Sequence, residues 1–140
     1  MRVEFKKMEL GAVIPTKATD GACGFDLVCT HVSHDDTYVE CKTGIAVAIP
    51  EGYVGLLFAR SSISKTGWSL ACGVGVIDQD FRGGLSLRFT SISRTPKFPY
   101  KEGDRVGQLV IVPATDVEFQ EVSELGTTER GDGGYGSTDS

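Results

Sequence analysis

Apolar residues recur with a period of two along much of this chain. Ile45, Val47 and Ile49 alternate with Ala46 and Ala48; Leu85, Leu87 and Phe89 alternate with Ser86, Arg88 and Thr90; Val3 and Phe5 alternate with Arg2, Glu4 and Lys6. Successive side chains of a strand point to opposite faces, so this spacing predicts β-strands. Between the alternating runs lie "PEGY", "KTG", "FRGG", "KEGD" and "TDGACG", each carrying the Gly, Pro or Asp that a tight reversal requires. No segment offers a long amphipathic helix, and the one helical candidate is a turn or two near "SSISKTG". Many short strands, frequent glycine turns and little helix predict an all-β fold: a sandwich, a jelly roll or a small barrel.

Length and composition narrow this picture. A chain of 140 residues is the size of one domain and can bury a core without metals or disulfides. There is no internal repeat and no interior linker. After Leu125 core-forming residues nearly vanish, which divides the chain into a body, 1–125, and a mobile C-terminal arm, 126–140. No apolar run reaches membrane-spanning length, and "MRVEFKKMELG" lacks the apolar core of a secretory signal, so an intracellular protein is expected: cytoplasmic, or nuclear if the source is eukaryotic or viral. A net charge of −5 argues against binding a nucleic-acid backbone, because such binding rests on clustered Lys and Arg; an anionic ligand must be held locally. The four cysteines, Cys23, Cys29, Cys41 and Cys72, form no C-x-x-C pair and read as reduced thiols. Cys29, His31, His34 and Cys41 can be drawn as a zinc site, but their spacing matches no common zinc module.

Four arginines stand immediately before small residues: Arg60 in "ARSS", Arg82 in "FRGG", Arg105 in "DRVG" and Arg130 in "ERGDGG". A guanidinium beside open backbone N–H groups can hold phosphate, although a single such arginine is more often a solvated surface residue. Ser61 and Ser62 add hydroxyls and amides after Arg60, or serve only to cap the short helix that follows. In "CGVGVIDQDFRGG", Val74 and Val76 alternate with Gly73, Gly75 and Ile77. Paired glycines weaken a strand and imply close approach to its backbone, by a flat nucleobase or merely by a bulged hairpin whose Asp78 and Asp80 serve the turn. Asp26 in "GACGFDL" and Gln108 in "DRVGQLVI" are polar residues beside apolar strand positions.

Taken in order, "GACGFDL", "ARSSISKTG", "GVGVIDQDFRGG", "EGDRVGQLVI" and "RGDGGYGST" resemble the five motifs of the homotrimeric dUTP pyrophosphatases, the dUTPases, and span residues 21 to 138. The resemblance implies a jelly-roll-like β barrel with a flexible C-terminal arm. It also implies hydrolysis of dUTP to dUMP and pyrophosphate by water attack on the α-phosphorus, which keeps uracil out of DNA and supplies dUMP. Asp78 matches the acid that activates the water and touches the sugar 3′-hydroxyl. Asp26 matches the residue that holds Mg2+ through water, as suits an ion reluctant to lose its hydration shell. Arg60, Ser61, Ser62 and Gln108 match phosphate-binding positions, and Arg105 a structural or interface arginine.

The resemblance further implies that the hairpin from Gly73 through Gly75, Val76 and Ile77 to Asp78, closing near Ser86, reads uracil with its peptide groups. Cytosine would reverse donor and acceptor and leave buried groups unpaired. Phe81 stands where the family usually has tyrosine, so a ring remains to pack on deoxyribose without its hydroxyl. In the arm, Arg130 is matched to phosphate, Tyr135 to stacking on uracil, and Gly136, Ser137 and Thr138 to the γ-phosphate end. Three subunits would share each site. A dCTP deaminase on the same fold is the nearest rival, but it needs a glutamate near the base, and none lies between Glu51 and Glu102. A non-catalytic, nucleotide-sensing relative is the rival of another class. The tripeptide Arg130–Asp132 as an adhesion signal is too short to count.

Overall fold

In the computed structural model, which describes residues 1–94 and 96–138, the alternating segments form strands. In chain order these are β1 (Glu4–Lys7), β2 (Phe25–Val28), β3 (His31–His34), β4 (Val39–Ala48), β5 (Tyr53–Ala59), β6 (Trp68–Leu70), β7 (Gly75–Ile77), β8 (Gly84–Ser91) and β9 (Arg105–Pro113). The helical candidate is a 3-10 turn, Ser61–Lys65.

All pairings are antiparallel and fall into two sheets. One runs β1-β4-β8-β6 with β3 also on β4; the other runs β2-β9-β5-β7. Strand β4 is long enough to pair β3 along Val39–Lys42 and β1 along Ile45–Ala48, and its pairing with β8 shifts register between Lys42 and Ala46. Gly44 supplies the positive φ there, and the buried Thr43 hydroxyl donates to the Leu85 carbonyl at 2.8 Å. The inner faces meet through Leu27, Leu57, Ile77, Val106 and Leu109 on one side and Cys41, Ile45, Val47, Leu70, Leu85, Leu87 and Phe89 on the other. Each such large side chain contributes about 1.5–3 kcal/mol by leaving water. Gly107 has no room for a side chain, since a Cβ would press on the Phe58 carbonyl oxygen at 2.7 Å and on Leu87 of the facing sheet.

Three sequence expectations need adjustment. In β7 the inward residue is Ile77, at 8% exposure, whereas Val76 is 61% exposed: the strand follows the alternation, but with its valines outward. Strand β1 forms, yet all four residues are exposed, and a shallow apolar cavity of about 140 Å³ opens between Val3, Phe5, Ile14, Phe25, Val47 and Ile111. The last strand ends at Pro113. Beyond it every described residue except Gly133 is exposed, including Val117, Phe119, Val122 and Leu125, which have the composition of core formers yet are not buried among the described residues. The third adjustment concerns Ser86 and bears on the site. Among the described residues, no helix is long and apolar enough to cross a membrane.

Candidate active site

Residues predicted to bind phosphate converge at one end of the four-stranded sheet. Asp26 of β2, Gln108 of β9 and Phe58 of β5 lie side by side in register, and Arg60 follows the end of β5. Gly24 lies directly under the Gln108 side chain, which would collide with any Cβ there. Asp26 is 16% exposed in its side chain and accepts an ion pair from Arg105 Nη1 at 3.3 Å. The Arg105 carbonyl in turn accepts from Arg60 Nη1 at 3.4 Å. Arg105 thereby contacts both Asp26 and Arg60.

The 3-10 turn is not capped by a side chain; its N-cap is Arg60, in extended conformation. Ser61 and Ser62 are exposed and neither caps the turn, so the capping alternative does not account for them. The turn is closed instead by Ser64, donating to the Ser61 carbonyl at 3.0 Å, and by Thr66, donating to the Ile63 carbonyl at 2.7 Å. The two hydroxyls and the amides at the start of the turn stay available to an anion.

The predicted uracil-reading segment lies elsewhere. Strand β7 pairs only with β5, as Gly55↔Ile77, Leu56↔Val76 and Leu57↔Gly75. Its outer edge is open, and peptide groups there can meet a base. Gly73, at φ 72°, faces open space. This antiparallel register sends Asp78 toward the Tyr53 end of β5, whereas Arg60 leaves the other end. At strand rise, Asp78 and Arg60 are separated by roughly 20 Å along the sheet. Asp78 is exposed and lines a shallow depression with Ile49, Glu51, Gln79, Asp80 and Arg82. Arg82 is consumed locally, donating to the carbonyls of Gln79 at 2.6 Å and Phe81 at 2.9 Å, which stiffens the turn after Asp78. The Phe81 ring, 42% exposed, lies over Gly83, where a Cβ would come within 2.6 Å of its Cζ.

Ser86 is not part of this edge. It sits on β8, in the opposite sheet, and its hydroxyl donates to Glu40 at 3.2 Å. The alternation of β8 explains this: Leu85, Leu87 and Phe89 face inward, which turns Ser86 and Arg88 outward. Arg88 Nε also donates to Glu40, at 2.8 Å, and holds that carboxyl below the usual range.

Among the described residues, the hydrogen bonds of the arm are internal to it. Arg130 Nε donates to the Gly133 carbonyl at 2.8 Å, and the Ser137 amide donates to the Gly134 carbonyl at 3.1 Å. Tyr135 is fully exposed at φ 51°, followed by Gly136 at φ 83°. Neither Tyr135 nor Thr138 reaches the residues it is predicted to join. The residues drawn as a zinc site diverge: Cys29 and Cys41 are buried in the core, His31 faces Glu102 at 3.7 Å, and His34 packs edge-on against Phe98.

Sequence reasoning also missed Tyr100. Its hydroxyl is buried beside Arg60 and Ser62 without a hydrogen bond. The alternation of Phe98 and Tyr100 just before "KEGD" is the signal that could have placed an inward-facing aromatic there.

By fold this is a jelly-roll-like β protein, and its two chemistry-bearing ends suit a nucleotide polyphosphate: cations and hydroxyls at one, an open peptide edge at the other. The dUTPase family model matches residues 11–139. The chain is 38% identical to the deoxyuridine 5′-triphosphate nucleotidohydrolase of Hydrogenobaculum sp. (strain Y04AAS1), over 99% of this chain and 98% of that one. It is also 38% identical to the enzyme of that name from Tropheryma whipplei (strain Twist), over 91% and 90%. Among solved structures, a mutant dUTPase of Staphylococcus bacteriophage 80alpha with dUpNHpp superposes with a TM-score of 0.84 at 28% identity, covering 98% of each chain. A mutant dUTPase of phage phi11 of S. aureus, described for its coordination of a structural Mg(II) ion, gives 0.74 at 26% identity, covering 89% and 98%. The chain belongs to the dUTPase family.

Proposed function

We propose that this protein hydrolyses dUTP to dUMP and pyrophosphate at sites shared between copies of the chain. Family membership along nearly the whole chain supports the reaction. The observation that carries the shared site is the separation of Asp78 from the Arg60 end of the same sheet. A triphosphate held by Arg60, Ser61, Ser62 and Gln108 of one copy needs the hairpin of another to present its base and Asp78. The arm of a further copy brings Arg130, Tyr135, Gly136, Ser137 and Thr138. A homotrimer satisfies this with closed symmetry. The exposed Val117, Phe119, Val122 and Leu125, and the open cavity beside β1, give such copies apolar surface to cover.

Within the site, Asp78 takes a proton from a water as that water attacks the α-phosphorus. Peptide groups of Gly73, Gly75, Val76 and Ile77 read the uracil edge, Phe81 packs on the deoxyribose, and Tyr135 stacks on the base. Asp26 fits a magnesium ion bound through water: it offers one hard oxygen-donor group, oriented by its ion pair with Arg105, and phosphates and water would complete the shell. A magnesium ion held there through water would offset the charge of the phosphates that Arg60, Ser61, Ser62 and Gln108 bind. The four unpaired cysteines suit a reducing, intracellular setting.

The test offers dUTP, dCTP, dTTP and UTP with magnesium and measures pyrophosphate and ammonia. Pyrophosphate from dUTP alone is expected. Ammonia from dCTP would overturn the reading in favour of deamination, for which Glu51, beside Asp78, would be the nearest candidate base.

A further inference from the structure

The aromatic residues of the body form one wall. Phe89, fully buried on β8, contacts Phe98 and Tyr100 at ring-centroid distances of 5.8 and 5.5 Å, and Trp68 meets Phe98 at 5.1 Å. The Trp68 indole N–H donates to the Lys97 carbonyl at 3.2 Å, tying the segment before Tyr100 to β6. After Tyr100 the chain is pinned again: the Lys101 amide donates to the Asp104 carboxylate at 2.9 Å, and the Gly103 amide to the Cys29 carbonyl at 2.8 Å. A ring clamped on both sides cannot easily choose where its hydroxyl points.

That hydroxyl points beneath the phosphate turn. It is buried and makes no well-formed hydrogen bond among the described residues, with the Arg60 guanidinium and the Ser62 hydroxyl beside it and Cys41 and Asp104 also near. Burial raises its ionisation further above neutral pH, so the phenol keeps its proton and is a donor. An unpaired buried hydroxyl is costly, and a core that required only bulk would be served by phenylalanine. Ser62 is exposed and its hydroxyl is free to rotate until an anion arrives.

We propose that Tyr100 is a positioning residue for the phosphate site, acting through Ser62. When the Ser62 hydroxyl donates to a phosphate oxygen, its own lone pairs are fixed in direction. The Tyr100 hydroxyl then donates to Ser62, closing the relay Tyr100 to Ser62 to phosphate. In the free protein the two side chains face each other without a well-formed hydrogen bond, and the bond is completed when the site is occupied, so the hydroxyl contributes mainly to substrate binding rather than to the stability of the free protein. This rests on the dUTPase reading for the identity of the anion and on the geometry for the relay.

The experiment compares wild type, Tyr100→Phe, Ser62→Ala and the double variant, measuring kcat and KM for dUTP and the thermal midpoint without ligand. Tyr100→Phe is expected to leave the midpoint unchanged or raised and to increase KM about fivefold, with kcat little altered. In the Ser62→Ala background the same change is expected to have no further effect. Three results overturn the proposal: a KM unchanged by Tyr100→Phe, an equal loss with and without Ser62, or a lowered midpoint, which would mean the hydroxyl is already bonded in the free protein. If the wild type failed to hydrolyse dUTP, the dUTPase reading would fall. The four proteins would then be compared by calorimetric affinity for inorganic triphosphate, where the same Ser62-dependent loss is expected and its absence overturns the role of Tyr100.

Discussion

The two-sheet body and the segment after Pro113 are built from the same kinds of residue and behave oppositely. In the body, Leu85, Leu87 and Phe89 are at most 2% exposed; beyond it Phe119 is 95% and Leu125 86% exposed. Hydrophobicity alone does not decide burial. The body's apolar residues recur every second position on strands whose inner faces meet, whereas Phe119 and Leu125 meet no facing surface among the described residues. The body is therefore stabilised by its own contacts, and the arm by whatever it covers.

This contrast makes stability and turnover separable. Phe89→Ala strikes the body where four aromatic rings and both sheets meet, and is expected to cost about 3–5 kcal/mol in denaturant unfolding. A loss under about 1 kcal/mol would show that the wall is not a support. A chain ending at Thr127 is expected to keep the wild-type unfolding midpoint while turnover of dUTP falls at least about a hundredfold, since the arm orients substrate without holding the fold. Equal turnover would remove the arm from the site. Tyr135→Ala should weaken substrate binding by about 1–3 kcal/mol, as for other base-stacking aromatics, while Tyr135→Phe stays within about twofold of wild type in KM. A loss in both would assign the work to the hydroxyl instead.

The smallest effect lies on the outer face of the body. Arg88 and Ser86 hold Glu40 below its usual pKa, so this pair stabilises the folded state above the unfolded value and the contribution is lost as pH falls through the folded one. Glu40→Gln should therefore cost under about 1 kcal/mol at neutral pH and nothing once the pH lies below the lowered folded value, read from unfolding curves at neutral and strongly acid pH. A cost that persisted at acid pH would mean that packing rather than charge is involved.

Much of this was legible in the sequence. Alternation located β4 and β8, and glycine turns separated the strands. The short motifs picked out Asp26, Arg60, Ser61, Ser62 and Gln108, which the fold brings to one end of a sheet. What sequence could not supply was the pairing order. Nothing in "GVGVIDQD" states that β7 joins the edge of β5 rather than turning back onto β8, so Ser86 was grouped with an edge it does not share. Nor does a motif reveal which end of a strand a residue leaves from, and that detail separates Asp78 from Arg60. Tyr100 was hidden because its significance lies in an unpaired hydroxyl, which only packing can produce.

The central claim is that no single chain holds a complete site, and subunit mixing tests it most directly. Asp78→Asn and Arg60→Ala chains, each inactive alone, are unfolded together in equal amounts, refolded and assayed for dUTP hydrolysis. If the hairpin of one copy serves the phosphate cluster of another, random assortment restores about a quarter of wild-type turnover. If both elements serve a site within one chain, the mixture will be no more active than its two components.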